Sequence, residues 1–362
     1  MTPKQLIIAL HIARMADVPL LVMGSAGQGK SQIVQAYSDF TGCVMDEFRA
    51  PMTDALDLGL PHIEAGVQKR ARLDWWPEPN DPPHIVFLDE LLQGTQMTMN
   101  ALSELILDRR IGGRKGMHLR AGDWVCAASN LATDRAATFE LPSHLKNRFC
   151  TVTLQTEWDD VKAHWESRGG FSVPKIEPWE HDKTHPYILA FLKNHPNLLF
   201  TFSPDEDVVS FATPRSWEML ARLLPGILQV GMGDFAREMI CGTIGDKAGI
   251  PFSAFCASAD IPDVMLVFER PESAPIPKKL DTRYLYVYSA IFALEKVKKG
   301  KEFMVYLQRV IDVDREFGVS AFLSAHKRYF DSAAYKRVVD SPLAEAGSML
   351  QQFMSQNQIL IS

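Results

Sequence analysis

Three uninterrupted apolar runs mark the first half of the chain, at residues 20–23, 85–88 and 124–128. A run without alternation predicts a strand buried on both faces, as in the centre of a parallel sheet. Each run is followed closely by glycine or polar residues, namely Gly24, Asp89 and Asn130. Because ligands of open parallel sheets bind beyond the carboxyl ends of the strands, these positions are the first candidates for a site.

Between these runs, apolar residues recur at helical spacing. Residues 3–15, 31–40 and 100–110 each place them on one face, and Thr2-Pro3 supplies a capping hydroxyl followed by proline. Strands that alternate with amphipathic helices predict an α/β fold with a parallel sheet flanked by helices. Two hairpins are expected beside this sheet, at residues 59–66 and 111–119, where glycines stand at the turns.

Beyond Phe149 the pattern becomes helical throughout. The predicted helices cover residues 186–195, 214–224, 234–245, 283–296, 303–310 and 320–329, and three prolines make 270–279 a linker. We therefore predict an α/β core over residues 1–155, a linker and helical lid over 156–250, and a helical extension over 251–362. The pattern contains no internal repeat.

Composition narrows the class of protein. The 362 residues are 46% hydrophobic and 23% charged, which is typical of a globular protein with a large core. The net charge of −6 argues against a broad surface for nucleic acid. Five scattered cysteines without a C-x-x-C pair favour buried thiols in a reducing compartment. No apolar run approaches the ~18 residues of a membrane span, so a cytoplasmic protein is expected.

The octapeptide after the first strand predicts nucleoside triphosphate binding. It reads G-x-x-x-x-G-K-[ST] between a predicted strand and a predicted helix, the context that this motif requires. Its glycines allow backbone N–H groups to surround phosphate oxygens, while the lysine bridges the β- and γ-phosphates and the serine hydroxyl ligates Mg²⁺. The residues are Gly24, Ser25, Ala26, Gly27, Gln28, Gly29, Lys30 and Ser31.

Acids and an amide at the ends of the other two strands complete the candidate site. Asp89 is expected to hold Mg²⁺ through water, and Glu90 to polarise the attacking water. Asn130 can position that water or contact the γ-phosphate, because an amide donates and accepts without a change in protonation. The cofactors predicted are therefore ATP and Mg²⁺.

The order of these motifs resembles an AAA+ ATPase, and more narrowly the MoxR-type branch with its dynein-related relatives. The phosphate loop is similar to Walker A, residues 88–90 to Walker B and Asn130 to sensor 1. Residues 58–61 resemble the insert of that branch, and residues 107–119 its pre-sensor hairpin. Residues 141–149 resemble the arginine-finger segment, and residues 212–217 the sensor 2 motif. The resemblance is dense over residues 1–155 and thin after about 250.

This resemblance implies a P-loop NTPase core followed by an all-α lid. It implies that Arg148 enters the neighbouring subunit's nucleotide site and stabilises transition-state charge, and that Arg215 senses the γ-phosphate. Arg135 is a weaker candidate for a second interface arginine. An arginine supplied by a neighbour requires a homo-oligomer, and the family implies a hexameric ring.

For function, the resemblance implies a chaperone-like remodeller of a protein partner, often one with a von Willebrand factor A domain. Two alternatives stay open. A nucleic-acid motor conflicts with the acidic balance and with the lack of a recognisable DNA-binding module. A nucleotide-gated scaffold that barely hydrolyses ATP conflicts with the presence of Glu90 and Arg148.

Overall fold

The computed structural model describes residues 1–53, 55–58, 61–65, 67–71, 73, 75–113, 116–131, 134, 141–166, 173–182, 184–203, 208–329, 343, 353–355 and 357. The chain forms two compact units. The first contains Met1–His185 and Asn197–Ala257, and the second contains Pro186–Pro196 and Ser258–Ser362. The three-part division predicted from the sequence stays a prediction.

The first unit alternates strands and helices in its amino-terminal part and is helical after its last strand. Its elements are α1 (Pro3–Met15), β1 (Leu20–Met23), α2 (Lys30–Thr41), β2 (Val44–Arg49), β3 (Pro61–Glu64), β4 (Val67–Arg70), β5 (His84–Asp89), α3 (Gln96–Asp108), β6 (Arg110–Ile111), β7 (Met117–His118), β8 (Trp124–Ser129), α4 (Ser143–Lys146), β9 (Cys150–Thr153) and α5 (Trp158–Glu166). The second unit contributes α6 (Pro186–Asn194), after which the first unit adds α7 (Pro214–Val230), α8 (Asp234–Ile244) and α9 (Asp246–Ser258).

Five parallel strands form the central sheet, in the order β2-β5-β8-β1-β9. Every residue of β1, β5 and β8 is buried, as their continuous apolar runs predict. The pairs β3–β4 and β6–β7 form the two antiparallel hairpins. The α/β fold with a parallel sheet flanked by helices is thereby confirmed.

The strand order decides which loops meet. Because all five strands are parallel, every strand ends at one edge of the sheet, here called the carboxyl edge, and begins at the other, the amino edge. β8 lies between β1 and β5, so the loops after these three strands are neighbours at the carboxyl edge. Gly24, Glu90 and Asn130 each follow the end of one of these strands.

Helix α8 covers the outer side of β9. Glu238 on α8 accepts a hydrogen bond from the Thr153 N–H (2.8 Å), a donor that an edge strand would otherwise leave free. A Cβ on Gly242 would lie 1.8 Å from the Thr151 carbonyl oxygen, so only glycine permits this approach of helix and strand.

The region beyond Phe149 was predicted to be helical, but its first element is the strand β9, which is only four residues long and alternates buried and half-buried positions. Two helical expectations also differ from the structure. The prediction that the seventh helix ends at residue 224 is wrong, because α7 continues through Pro225 to Val230. Gly226 packs directly on Trp179 and Ile12, and this packing holds the last turn despite the missing proline N–H. Helix α9 was not predicted as a separate element, since Pro251 and Gly249 interrupt its pattern.

The second unit is helical, as expected for the carboxyl-terminal region. Besides α6 it contains α10 (Leu266–Glu269), α11 (Leu280–Val297), α12 (Gly300–Val313) and α13 (Arg315–Tyr329). Tyr284 stacks on Tyr288 with ring centroids 4.8 Å apart and meets Phe317 edge to face, so aromatic rings supply much of this core. In the part of the chain described, no helix is long and apolar enough to cross a membrane.

Candidate functional site

The predicted phosphate loop joins β1 to α2 at the carboxyl edge. Gly27 and Gly29 have φ angles of 78° and 82°, the left-handed region in which glycine is unstrained. Gly29 caps α2, whose first residues are Lys30 and Ser31. The Gly24 N–H donates to the Ser129 carbonyl oxygen (3.2 Å), which fastens the start of the loop to the end of β8. A helix amino terminus behind a glycine loop offers N–H groups and positive potential to an anion.

Lys30 is buried, and its ammonium group is held by neutral oxygens. The Nζ atom donates to the carbonyl oxygens of Gly24 (2.7 Å) and Ser25 (3.0 Å) and to Oδ1 of Asn130 (2.9 Å). Burial lowers the pKa of Lys30, and the nearby charges of Asp89, Asp134 and Glu90 oppose this shift only in part. An anionic ligand would supply the charge that these neutral oxygens lack.

Ser31 and Asp89 form the second link across the site. The Ser31 hydroxyl donates to Oδ2 of Asp89 at 2.7 Å, and Asp89 is only 8% exposed. Asp89 forms no ion pair with any described residue, so its buried charge rests on hydrogen bonds from Ser31 and from the Glu90 N–H. A hydroxyl beside an unpaired carboxylate fits Mg²⁺, which takes one or two protein oxygens and completes its shell with water and phosphate.

Glu90 occupies a strained backbone position directly after β5. Its φ of 55° and ψ of 35° lie in the left-handed region, which costs a residue with a side chain about 1 kcal/mol or more. The Asp89 side chain stabilises this turn by accepting the Glu90 N–H at 2.9 Å. The turn places the half-buried Glu90 near enough to Lys30 for their charges to interact. Strain of this kind is found at sites where a side chain must point in one direction.

One acid of the site was missed in the sequence. Asp134 accepts a hydrogen bond from the Ser25 hydroxyl at 3.2 Å, and its charge acts on Lys30. Its only sequence signal is its place four residues after Asn130, in the loop that follows β8. The adjacent candidate Arg135 lies outside the described residues.

The two predicted arginines lie elsewhere, at the amino edge. Arg148 comes two residues before β9 begins, whereas the phosphate loop follows the end of the paired strand β1. The four residues of β9 alone separate the two edges by about 13 Å. Asn147 donates from its side chain to the Thr213 hydroxyl, which caps α7, so the start of that helix and Arg215 are fastened to the same edge.

These arginines are close to each other and poorly paired. Burial lowers the pKa of Arg148, and the positive charge of Arg215 lowers it further, while Asp108 opposes the shift. The buried Nε atom of Arg148 has no hydrogen-bond partner among the described residues. Arg215 is exposed and forms no ion pair with any residue that the structure describes.

A cavity of about 1110 Å³ adjoins the phosphate loop. It extends from Met23, the residue before Gly24, along the outer side of β9 to α8. Its lining includes Thr151, whose buried hydroxyl has no partner among the described residues. Burial, with the neighbouring Asp246 charge, raises the pKa of the Cys241 thiol in this lining to about 12, so this cysteine is a neutral thiol at physiological pH.

The structure thus brings together Lys30, Ser31, Asp89, Glu90 and Asn130 around the phosphate loop, and separates them from Arg148 and Arg215. No group of three or more His, Cys, Asp and Glu side chains that could hold a metal occurs among the described residues. No protein-family model matches the chain, and no curated protein matches its sequence.

Proposed function

We propose that this chain is an ATP-hydrolysing ring ATPase of the AAA+ type, similar to the MoxR branch, that remodels a protein partner. The observation that carries the proposal is the pair of hydrogen bonds joining the loop to two other strands. Lys30 bonds Asn130 after β8, and Ser31 bonds Asp89 at the end of β5. An ordinary glycine turn needs neither contact.

The residues of this site match the requirements of phosphoryl transfer. Ser31 and Asp89 would hold Mg²⁺, which when bound neutralises charge on the β- and γ-phosphates. Glu90 would take a proton from water as the water oxygen attacks the γ-phosphorus and the bridging bond to the β-phosphate breaks. Asn130, now bonded to Lys30, would orient that water or the γ-phosphate.

The cavity beside Met23 is the proposed position of the nucleoside. It adjoins the phosphate loop, and it offers polar side chains to a base and a ribose. Its volume of about 1110 Å³ lies just above the usual range for ligand sites, so a nucleoside would leave part of it to solvent.

The position of Arg148 supports assembly. No copy can bring its own amino edge to its own phosphate loop, so an arginine finger at Arg148 must serve the nucleotide of another copy. Hydrolysis then requires a homo-oligomer, for which a hexameric ring is the proposed form. The net charge of −6 favours a protein client over nucleic acid, and the resemblance to the MoxR branch suggests a von Willebrand factor A domain partner.

The test uses the full chain and its Glu90→Gln variant. This change preserves shape but removes the base, so hydrolysis should fall by about 10²- to 10⁴-fold while ATP affinity stays within a few-fold. Mass in solution, measured with and without Mg-ATP, should show a larger assembly with ATP.

Glu316→Gln, an exposed change in the second unit, serves as the matched control and should hydrolyse ATP like the wild type. Equal loss of ATP binding in Glu90→Gln would contradict the role of Glu90. A monomer under all conditions would contradict the ring. Salt-sensitive retention on DNA would favour the nucleic-acid motor instead.

A further inference from the structure

The chain that follows β8 contacts the phosphate loop at two points. The Nζ atom of Lys30 donates to Oδ1 of Asn130 (2.9 Å), and the Ser25 hydroxyl donates to Oδ1 of Asp134 (3.2 Å). The Asp134 N–H donates to the carbonyl oxygen of Leu131 (3.1 Å), a short-range bond that keeps Asp134 close to the end of β8. Since Lys30 Nζ also donates to the Ser25 carbonyl oxygen (3.0 Å), these contacts and the chain between them form a closed ring.

Asp134 brings a negative charge to a site that is proposed to bind a strongly negative ligand. It is exposed and forms no ion pair with any residue that the structure describes. Burial lowers the pKa of Lys30, and the charges of Asp89, Asp134 and Glu90 act in the opposite direction. In the proposed mechanism Asp89 holds Mg²⁺ and Glu90 polarises water, whereas Asp134 has no task. Its charge beside the phosphate loop therefore needs a separate explanation.

On the proposed function, the loop after β8 lies at the γ-phosphate end of the site. The start of α2 would hold the β-phosphate, and Lys30 would reach both the β- and the γ-phosphate. Ser31 and Asp89, as the proposed Mg²⁺ ligands, direct the γ-phosphate toward the ends of β5 and β8, because the ion bridges both phosphates. Asp134 is linked to Lys30 through Ser25 and therefore belongs to the γ-phosphate end rather than to the base.

From this arrangement we propose that Asp134 competes with the γ-phosphate, so that this one residue sets the preference of the site between ATP and ADP. The proposal rests on the proposed function, because it requires a nucleotide on the phosphate loop. A carboxylate and a γ-phosphate that face the same ammonium group repel each other, so ATP binding must displace Asp134 from Ser25. ADP has no γ-phosphate and leaves this contact intact. A protein partner that draws the loop after β8 away would therefore raise the affinity for ATP and leave that for ADP unchanged.

Calorimetric titration of the full chain with Mg-ATP and with Mg-ADP tests this competition. Asp134→Asn removes the charge but keeps an oxygen that accepts from the Ser25 hydroxyl. The affinity for ATP should rise about three- to tenfold, since an exposed charge is partly screened, while the affinity for ADP stays within about twofold. An unchanged ratio of the two affinities would overturn the proposal. Weaker ATP binding would overturn it as well, because Asp134 would then assist the nucleotide or its Mg²⁺.

Two further variants separate the local charge from other effects. Asp134→Glu keeps the carboxylate and should preserve the wild-type ratio, whereas a ratio like that of Asp134→Asn would refute the competition. Asp39→Asn is the matched control, because Asp39 is exposed, accepts from Gln35 Nε2 at 2.7 Å and lies nine residues after Lys30, about 14 Å along α2. This distance exceeds the Debye length of about 10 Å, so both affinities should stay unchanged. An equal gain in Asp39→Asn would mean that net charge alone is responsible, and would refute the competition.

Salt and the wild type complete the experiment. The gain in ATP affinity of Asp134→Asn should shrink when salt is raised from about 0.05 M to about 0.5 M, because the charge is exposed. A gain that is independent of salt would overturn the proposal. Failure of the wild type to bind Mg-ATP, or equal binding by Lys30→Ala, would refute the proposed function itself. Normal binding by the wild type with an unchanged ratio in Asp134→Asn refutes only the role of Asp134, provided that the two proteins melt at the same temperature.

Discussion

Charged groups are buried at both edges of the sheet, but the partners that surround these charges differ between the two edges. At the carboxyl edge, Lys30 is surrounded by neutral oxygens and Asp89 has no ion pair among the described residues. At the amino edge, the carboxylate of Asp123 is fully buried and accepts from Arg120 Nη2 (2.9 Å), the Arg120 N–H (2.8 Å) and the His84 N–H (2.9 Å). The carboxyl edge leaves charges for a ligand, whereas the Asp123 cluster satisfies its charge internally. Arg148 and Arg215 also lie at the amino edge but do not belong to this cluster.

The comparison shows that one fold can use different buried charges for ligand binding and for stability. Burial lowers the pKa of Lys30, which means that the protein disfavours its charged form. Burial alone would raise the pKa of Asp123, but hydrogen bonds from Arg120 and His84 outweigh it and lower that pKa. We therefore expect changes at the carboxyl edge to alter function, and changes at the Asp123 cluster to alter stability.

The largest effect is expected for Lys30→Ala. Loss of a charged contact to phosphate should weaken ATP binding about 100-fold or more, equivalent to about 3 kcal/mol. The free energy of unfolding should fall little or even rise, because a disfavoured buried charge is removed. Isothermal titration with Mg-ATP and urea unfolding measure the two quantities. A large loss of stability with intact binding would reverse the comparison at this edge.

Asp123→Asn tests the other edge. The amide keeps the shape but leaves the Arg120 guanidinium with weaker acceptors, so the free energy of unfolding should fall by about 2 kcal/mol. ATP affinity should stay within about twofold, since Asp123 lies at the end of the sheet away from the loop. Urea unfolding checks the first value and titration the second. A loss confined to ATP binding would show that the two edges are not independent.

The pH dependence of stability sharpens the same contrast. Because the pKa of Asp123 is lower in the folded state, its contribution is present above its ordinary pKa of about 3.9 and is lost as pH falls through the folded value. The wild type should therefore lose stability below pH of about 4 more steeply than Asp123→Asn. Unfolding curves in urea at a series of pH values measure the two slopes. Parallel curves would contradict the lowered pKa.

The smallest effect is expected away from both clusters, at the cap of α1. Thr2→Ala removes a hydroxyl that accepts from the Gln5 N–H, and should cost about 1 kcal/mol. Hydrolysis should not change at a temperature where both proteins are folded. Thermal melting and an ATPase assay provide this reference value. An effect as large as that of Asp123→Asn would mean that the buried cluster contributes no more than an ordinary cap.

Local patterns were sufficient to predict β1, β5, β8 and the glycine turn between β1 and α2, because each depends on consecutive residues, whereas β2 and β9 were not predicted. Apolar runs gave β1, β5 and β8, and spacing alone placed Lys30 and Ser31 at a helix start. The site around them was predictable because parallel strands bring their carboxyl ends to one edge. The sequence pattern did not predict Asp134 as a site residue. Its contact with Ser25 depends on how the loop after β8 folds.

The position of Arg148 and Arg215 could not be predicted from the sequence, for a different reason. It depends on β1 being inserted between β8 and β9, a strand order that no local segment encodes. The path of α7 through Pro225 similarly depends on Trp179 and Ile12, which are distant in the sequence. Helix propensity predicted that α7 ends before Pro225, but tertiary packing outweighs this preference and the helix continues.

The placement of phosphate loop and arginines on opposite edges of one sheet also has a consequence for any assembly that joins them head to tail. In such a row, one surface of each copy meets a different surface of the next, which is a heterologous contact. An open row of copies therefore always leaves its last phosphate loop without a donor. Closure of the row completes every site, so activity per subunit should rise with length and reach its maximum when the two ends meet.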